Sequence, residues 1–294
     1  MKSFVQGRKR RVGSRILRII LNRINHSIAS KNIVTNPQLV IFSFDHIGLT
    51  INLEGRYENN SLLLVEEFIK NKIPSAKDKT ALDIGANIGN HSILLANNFK
   101  NVYAFEPNPV TYEVLKINCT FAAKHKNIMP VNIGLSNREG SLPFHINRSN
   151  IGGSQIIDVN HESIEDAIKI NVKPLDQLNE LKDARVALIK VDVEGRELNV
   201  LKGAKDTISK NMPAILFEQS ASEIIDGSSS VIKYLEDLGY EFFIIKKNFY
   251  FGESVVAKLT SLVCRSLFGE RLDFVGVKAF RKTYYDMILG MPKS

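Results

Sequence analysis

The stretch ALDIGANIGNHS, residues 81–92, sets an acid, Asp83, two places before Gly85 and closes on Gly89 four places later. Read as a strand entering a turn and then a helix, this is a ligand cradle. Glycine at 85 lets the backbone approach a ligand, glycine at 89 lets the helix lie close to the strand, and Ala86 and Asn87 complete the turn. The spacing D-x-G-x-x-x-G differs from the G-x-G-x-x-G turn, whose helix N-terminus faces a pyrophosphate. An acid ahead of the first glycine repels phosphate and suits the ammonium group of an amino-acid moiety. Glu106 follows VYAF about 20 residues further on, where doubly wound folds place an acid against the ribose hydroxyls. Asn108 before Pro109 reads as an N-cap and first helical residue. Together these residues describe a site for a nucleoside that carries an amino acid and no pyrophosphate. A nicotinamide-dependent dehydrogenase is the competing enzyme class, and the missing G-x-G-x-x-G argues against it.

A second block, VALIKVDVEGRELNVLKGA at 186–204, places Asp192 and Glu194 just past a buried strand. In a doubly wound sheet the C-terminal strand ends are where ligands lie. Two carboxylates there can orient or deprotonate a hydroxyl, or hold a divalent metal between them. The plainer alternative is a helix-capping acid beside an exposed carboxylate. Arg196 and Glu197 read as surface or ion-pair residues, and Leu198, Val200 and Leu201 as core. His91, directly after the first turn, is a conceivable base, but a histidine in a helix's first turn more often packs locally.

The elements that must position these groups follow from patterning. ALDI (81–84), VYAF (102–105), IMPVNI (128–133), VALIKV (186–191) and AILFEQ (214–219) are short apolar runs separated by helical stretches, the texture of parallel strands joined by crossovers. SVIKYLEDLGYEFFII (230–245) reads as a helix stopped at Gly239 and a following strand, and DFVGVKAF (273–280) as a final strand. NRSNIGGSQ, within the excursion from Gly140 to Val172, is rich in turn residues and is placed to lie over the mouth of the sheet. Val255, Val256, Leu259, Leu262, Val263 and Phe268 form a helical stripe expected to be core or a lid.

Charge divides the chain. Of 39 Lys+Arg and 31 Asp+Glu, residues 1–30 hold Lys2, Arg8, Lys9, Arg10, Arg11, Arg15, Arg18 and Arg23 and no acid. The rest is neutral overall, so the basic balance marks one arm and no nucleic-acid-binding body is expected. Within the arm, Ile16, Leu17, Ile20, Leu21, Ile24 and Ile28 share one side of a helical wheel. Such a stripe serves either a membrane surface or packing on the enzyme body or a partner subunit, and an Arg-rich, acid-free start also mimics an organelle transit peptide. A basic segment over 1–36 and a catalytic domain over 37–294 are therefore expected. Cys119 and Cys264 are far apart and lie in no CxxC or His/Cys cluster, which fits a reducing, cytoplasmic setting with no structural zinc.

The ordered set DIGANIGNHS, AFEPNP, GLSNREG, KPLDQL and KVDVEGRELNVLKGA resembles the FkbM family of S-adenosylmethionine-dependent methyltransferases across about residues 80–220. The resemblance implies a Rossmann-like class I methyltransferase fold, with a mixed, mostly parallel doubly wound sheet of seven strands whose last strand is antiparallel. It implies S-adenosylmethionine as cofactor and O-methylation of a small-molecule or glycan acceptor: a saccharide, glycolipid or secondary metabolite. By position, Asp83, Gly85, Ala86, Asn87 and Gly89 match the cofactor turn and Glu106 the ribose acid. Pro107 and Asn108 match the family's E-P-x-P corner. Lys190, Asp192, Glu194, Gly195 and Glu197 match its K-x-D-x-E-G-x-E block. From another class, a catalytically silent scaffold of polysaccharide assembly would keep the same fold.

Overall fold

The computed structural model describes residues 12–148, 150–157, 167–249, 251–252 and 254–293. The basic positions Lys2 and Arg8 to Arg11 lie outside them. Helix α1 (Val12–Thr35) comes first, then α2 (His46–Glu54) and α3 (Asn59–Lys72). The alternating body is β1 (Thr80–Ile84), α4 (Asn90–Ala96), β2 (Asn101–Phe105), α5 (Pro109–Phe121) and β3 (Ile128–Val131). Four strands of a side sheet follow: β4 (Gly134–Leu135), β5 (Gly140–His145), β6 (Gln155–Ile156) and β7 (Ala167–Lys173). The body resumes with β8 (Val186–Val191), α6 (Glu197–Gly203), α7 (Lys205–Asn211), β9 (Ala214–Gln219), α8 (Ser230–Asp237) and β10 (Tyr240–Lys247). It closes with α9 (Val255–Phe268), β11 (Leu272–Val277) and β12 (Tyr285–Pro292).

The main sheet has the order β11-β10-β12-β9-β8-β1-β2-β3. β3, β2, β1, β8 and β9 are parallel, and β12 is inserted antiparallel between β9 and β10. The arrangement is Rossmann-like, with an antiparallel strand beside the fifth parallel one. β1 and β8 are buried along their whole length, as strands covered by helices on both faces must be. On one face α3, α4 and α5 bring Leu62, Ile69, Leu94 and Leu115 against Ala81, Val102 and Leu188. On the other, α6, α7 and α8 bring Leu201, Ile208 and Ile232 against Leu82, Ile189 and Phe217.

Two sequence expectations are corrected here. The strand expected at 273–280 is not the final one: it forms β11, an eighth strand on the edge of the sheet, and the antiparallel strand that completes the sheet is β12. DFVGVKAF carries the stronger strand pattern, yet β12, with Gly290 and two methionines, takes the central slot because Ile288 and Leu289 pack between the two cores. The apolar stripe of α9 is not core either. Val255, Val256, Leu259, Leu262, Val263 and Phe268 are all exposed.

One side chain fastens the N-terminal segment to the site. Asn118 on α5 is fully buried, accepts from the Val40 amide at 2.7 Å, and donates to the carbonyls of Val40 at 3.0 Å and Ile88 at 2.8 Å. Replacing Asn118 with leucine leaves those backbone groups without partners, and unsatisfied buried groups cost about 1 to 3 kcal/mol each. We expect Asn118→Leu to lower unfolding free energy by roughly 2 to 4 kcal/mol in a urea titration, and a loss below about 0.5 kcal/mol would show that the strap is redundant.

Candidate active site

A cavity of about 380 Å³ opens at the C-terminal ends of the parallel strands. Gly85, Asn87, Glu106, Asp192 and Glu194 all line it. Glu106 ends β2, and its carboxylate accepts from the backbone amides of Asn87 and Asn108, each at 2.9 Å. Burial pushes its pKa up to about 7, against the pull of those two amides. Thr111 also lines the cavity, and its hydroxyl is buried with no hydrogen-bond partner. A buried, unpartnered hydroxyl in the same cavity as that carboxylate suits a polar ligand.

The remaining turn residues stand behind the wall. Asp83 is fully buried: Ser92 donates to one of its oxygens at 2.5 Å, and the Lys190 ammonium lies 3.5 Å from the other. Ala86 packs in the core. Asn108 caps α5 by accepting from the Val110 amide at 3.1 Å. Gly85 and Gly89 have left-handed backbone, with φ of 76° and 94°. A β-carbon on Gly85 would sit 1.7 Å from the Asp192 carbonyl oxygen, and one on Gly89 would sit 2.8 Å from a Leu115 methyl. Gly85 is therefore required by the neighbouring strand end before any ligand arrives.

Lys190 joins the two halves of the site. It is buried, donates to the Gly85 carbonyl at 3.0 Å, and lies 3.1 Å from Asp192. Burial alone would depress its pKa, but Asp192 and Asp83 hold it above the ordinary lysine range. Burial in turn works to raise Asp192, and Lys190 with the hydrogen bond from Glu218 holds it below the usual carboxylate value. Glu194 sits in left-handed backbone with φ of 55°, followed by Gly195 with φ of 88°. Burial, with Asp192 and Glu197 nearby, pushes Glu194 up to about 7. Glu197 is not the surface residue expected. It is buried, and its carboxylate accepts from the amides of Val193 at 3.2 Å and Gly195 at 3.1 Å, which fixes the turn carrying Glu194.

The structure adds groups that the sequence did not single out. Glu218 ends β9 beside Asp192, and burial together with the Asp192 charge pushes it up to about 8. Asp192, Glu194 and Glu218 each place an oxygen within 4.8 Å of the others, a spacing that can hold a divalent ion. Lys190 already supplies a positive charge to that cluster. Tyr57, Glu58, Tyr284 and Asp286 complete the wall. Only Glu218 had a sequence signal, an acid closing an apolar strand at the level of Asp192. His91 Nε2 lies 3.4 Å from Glu58. Burial drives His91 down to about 4 and Glu58 up to about 7.

The family model for the methyltransferase FkbM domain matches residues 83–242, spanning both the turn and the acidic strand ends. The chain belongs to the FkbM methyltransferase family. It is 30% identical over 172 residues to the hexuronic acid methyltransferase AglP of Haloferax volcanii, a match covering 58% of this chain and 65% of that protein. It is 29% identical over 159 residues to the methyltransferase sdnD of Sordaria araneosa, covering 42% of this chain and 60% of that one. The matches thus span less than two thirds of either relative. The crystal structure of the methyltransferase FkbM from Methylobacillus flagellatus aligns over 83% of this chain and 52% of that one, with 16% identity and a TM-score of 0.42.

The buried acids make a stability prediction for this FkbM-family protein. Glu58, Glu106 and Glu194 at about 7, and Glu218 at about 8, bind protons more tightly folded than unfolded, so stability falls as pH rises from about 4.5 to 8. His91, at about 4 when folded, binds protons more tightly unfolded and adds stability as pH rises from about 4 to 6.5. With four such acids against one histidine, the melting temperature of the ligand-free protein is expected to be highest at or below about pH 5 and to decline toward pH 8. A curve still rising at pH 8 would contradict these assignments.

Proposed function

We propose that the chain is an S-adenosylmethionine-dependent O-methyltransferase acting on a hydroxyl of a saccharide-type acceptor. The observation that carries this reading is the cavity itself, which runs from Glu106 and the unpartnered Thr111 hydroxyl to the carboxylates of Asp192 and Glu194. Glu106, with Asn87 and Thr111 beside it, would hold the ribose, and the backbone of the Gly85 turn would approach the methionine part. When bound, the cofactor supplies an electrophilic methyl group on a sulfonium. The chain's own residues then have two tasks. Asp192, kept ionised by Lys190, accepts a hydrogen bond from a neighbouring hydroxyl of the acceptor and so orients the reacting one. Glu194, with a pKa near the working pH, takes the proton. The hexuronic acid named for one relative supports the choice of a sugar hydroxyl.

Four measurements test this. Calorimetric titration with S-adenosylhomocysteine should show binding, which a silent scaffold need not, and Glu106→Ala should weaken it by about 1 to 3 kcal/mol. Asp192→Asn should cut turnover roughly a hundredfold while product-cofactor affinity is largely kept. Wild-type turnover should rise with pH through about 7, where Glu194 ionises, and Glu194→Gln should remove that rise. Because Lys190 supplies the cation beside Asp192, a chelator should leave activity in place, and its loss with recovery on adding divalent ion would assign the carboxylates to a metal.

A peripheral contact with an anionic membrane surface is the second proposal, and one observation favours it. Residues 13–27 of α1 are exposed along their whole length, Ile16, Leu17, Ile20, Leu21 and Ile24 among them. The stripe does not pack on the body. The strap onto α2 begins only near Asn32 and Asn36, whose side chains crowd Gly55. Each of the basic residues beside this stripe adds about 1 kcal/mol near anionic lipid. Among the described residues no helix is long and apolar enough to cross a membrane, so the contact would lie in the surface. Liposome sedimentation should show the full chain, but not a chain lacking residues 1–30, pelleting with anionic lipid at low salt. Equal pelleting of both would exclude the arm.

A further inference from the structure

The acceptor end of the cavity has a charge balance that bears on what it receives. Beyond the ends of β8, β9 and β12 its wall carries the carboxyl groups of Glu58, Asp192, Glu194, Glu218 and Asp286, with the phenols of Tyr57 and Tyr284. Among the described lining residues the permanent side-chain cations are Lys190 and Arg196, beside the imidazoles of His46 and His91. Lys190 is held between Asp83 and Asp192, so its charge is matched within the wall. His91 lies too deep to be charged at neutral pH. Burial and the neighbouring acids keep Glu58, Glu194 and Glu218 partly protonated near pH 7, so an entering cation would let carboxyl groups ionise that the wall alone keeps neutral.

Like charges gathered at the mouth of a low-dielectric cavity repel one another, and a ligand of opposite charge relieves that repulsion. A carboxylate-bearing sugar would add to it, and like-charge juxtaposition is how sites reject wrong partners. The phenols and carboxyl oxygens supply both donors and acceptors for a hydroxyl-rich ring. We propose that the acceptor is a hydroxyl-rich, saccharide-like molecule carrying an amine close to the hydroxyl that is methylated, and that uronic acids are excluded. Held as an ammonium by these acids, the amine has no lone pair to take the methyl group. The hydroxyl, whose proton passes to a carboxylate, remains the nucleophile. This inference rests on the methyltransferase reading of the cavity, and it separates the chain from the relative named for a hexuronic acid.

The test uses the purified full chain saturated with S-adenosylhomocysteine and three matched probes: methyl glucosaminide, methyl glucoside and methyl glucuronide. Saturation-transfer NMR should show the glucosaminide bound tenfold or more tightly than the glucoside at low salt, with no glucuronide binding. Raising salt should shrink the preference, because it is electrostatic. Glu218→Gln and Asp286→Asn should each reduce it threefold or more, and a thermal melt on each variant identifies misfolding. If one variant fails to fold, the other and the salt series still decide. Equal binding of glucosaminide and glucoside, or binding of the glucuronide at Arg196, would overturn the proposal. Absence of S-adenosylhomocysteine binding would instead overturn the methyltransferase reading.

Discussion

The site depends on one buried ammonium. Lys190, on the central strand β8, reaches the Gly85 carbonyl and lies between Asp83 of β1 and Asp192 at its own strand end. Without it, two carboxylates at the centre of the sheet would be left without a counter-charge, a situation that costs several kcal/mol per ion. With it, the turn after β1 and the turn after β8 are locked together. The locked turns leave so little room that glycine is required at position 85 by the Asp192 carbonyl. The two motifs are therefore one structure: the cradle and the acidic strand end share a lysine and a backbone contact.

Around that centre the protein keeps more acid than it can comfortably bury. Glu58, Glu106, Glu194 and Glu218 are all pushed upward by burial, which means the fold tolerates them at a cost to its own stability. Such shifts cluster where a site is organised for binding or chemistry. Glu197 shows how the strain is contained. Its carboxylate takes two backbone amides of the turn and so holds Glu194 in a left-handed conformation that a non-glycine residue otherwise avoids.

The periphery follows a different logic. The α1 and α9 helices both carry long apolar side chains on exposed faces, although helices of this patterning in a globular body normally turn such faces inward. β10 and β11 meet at the end of the sheet where the cavity opens, since Lys247 pairs with Leu272, and α9 is the connection between them. A hydrogen bond from Asn60 to Glu270 ties this connection to the start of α3, next to Glu58 on the cavity wall. The exposed helix thus belongs to the same end of the molecule as the chemistry.

The sequence by itself determined the parallel core and the turn that lines one end of the cavity. Short apolar runs bounded by turns have few structural solutions, and a glycine turn joined to an acid about 20 residues on is a local pattern, whose Gly85, Asn87 and Glu106 the fold brings to one cavity. Glu106, Asn108 and the strand ends were legible for that reason. Only the tertiary structure decided the opposite wall. Tyr57 and Glu58 arrive from the start of α3, Glu218 from β9, and Tyr284 and Asp286 from the last strand. No spacing in the chain relates these groups, because long-range packing alone brings them within reach of Asp192. Asp83 and Glu197 show the converse: both are acids in recognisable motifs, yet burial turned one into the partner of a lysine and the other into a clamp on a turn. Which strand would close the sheet was also hidden, because β11 has the stronger strand pattern while β12 has the neighbours, and in a central position packing outweighs propensity.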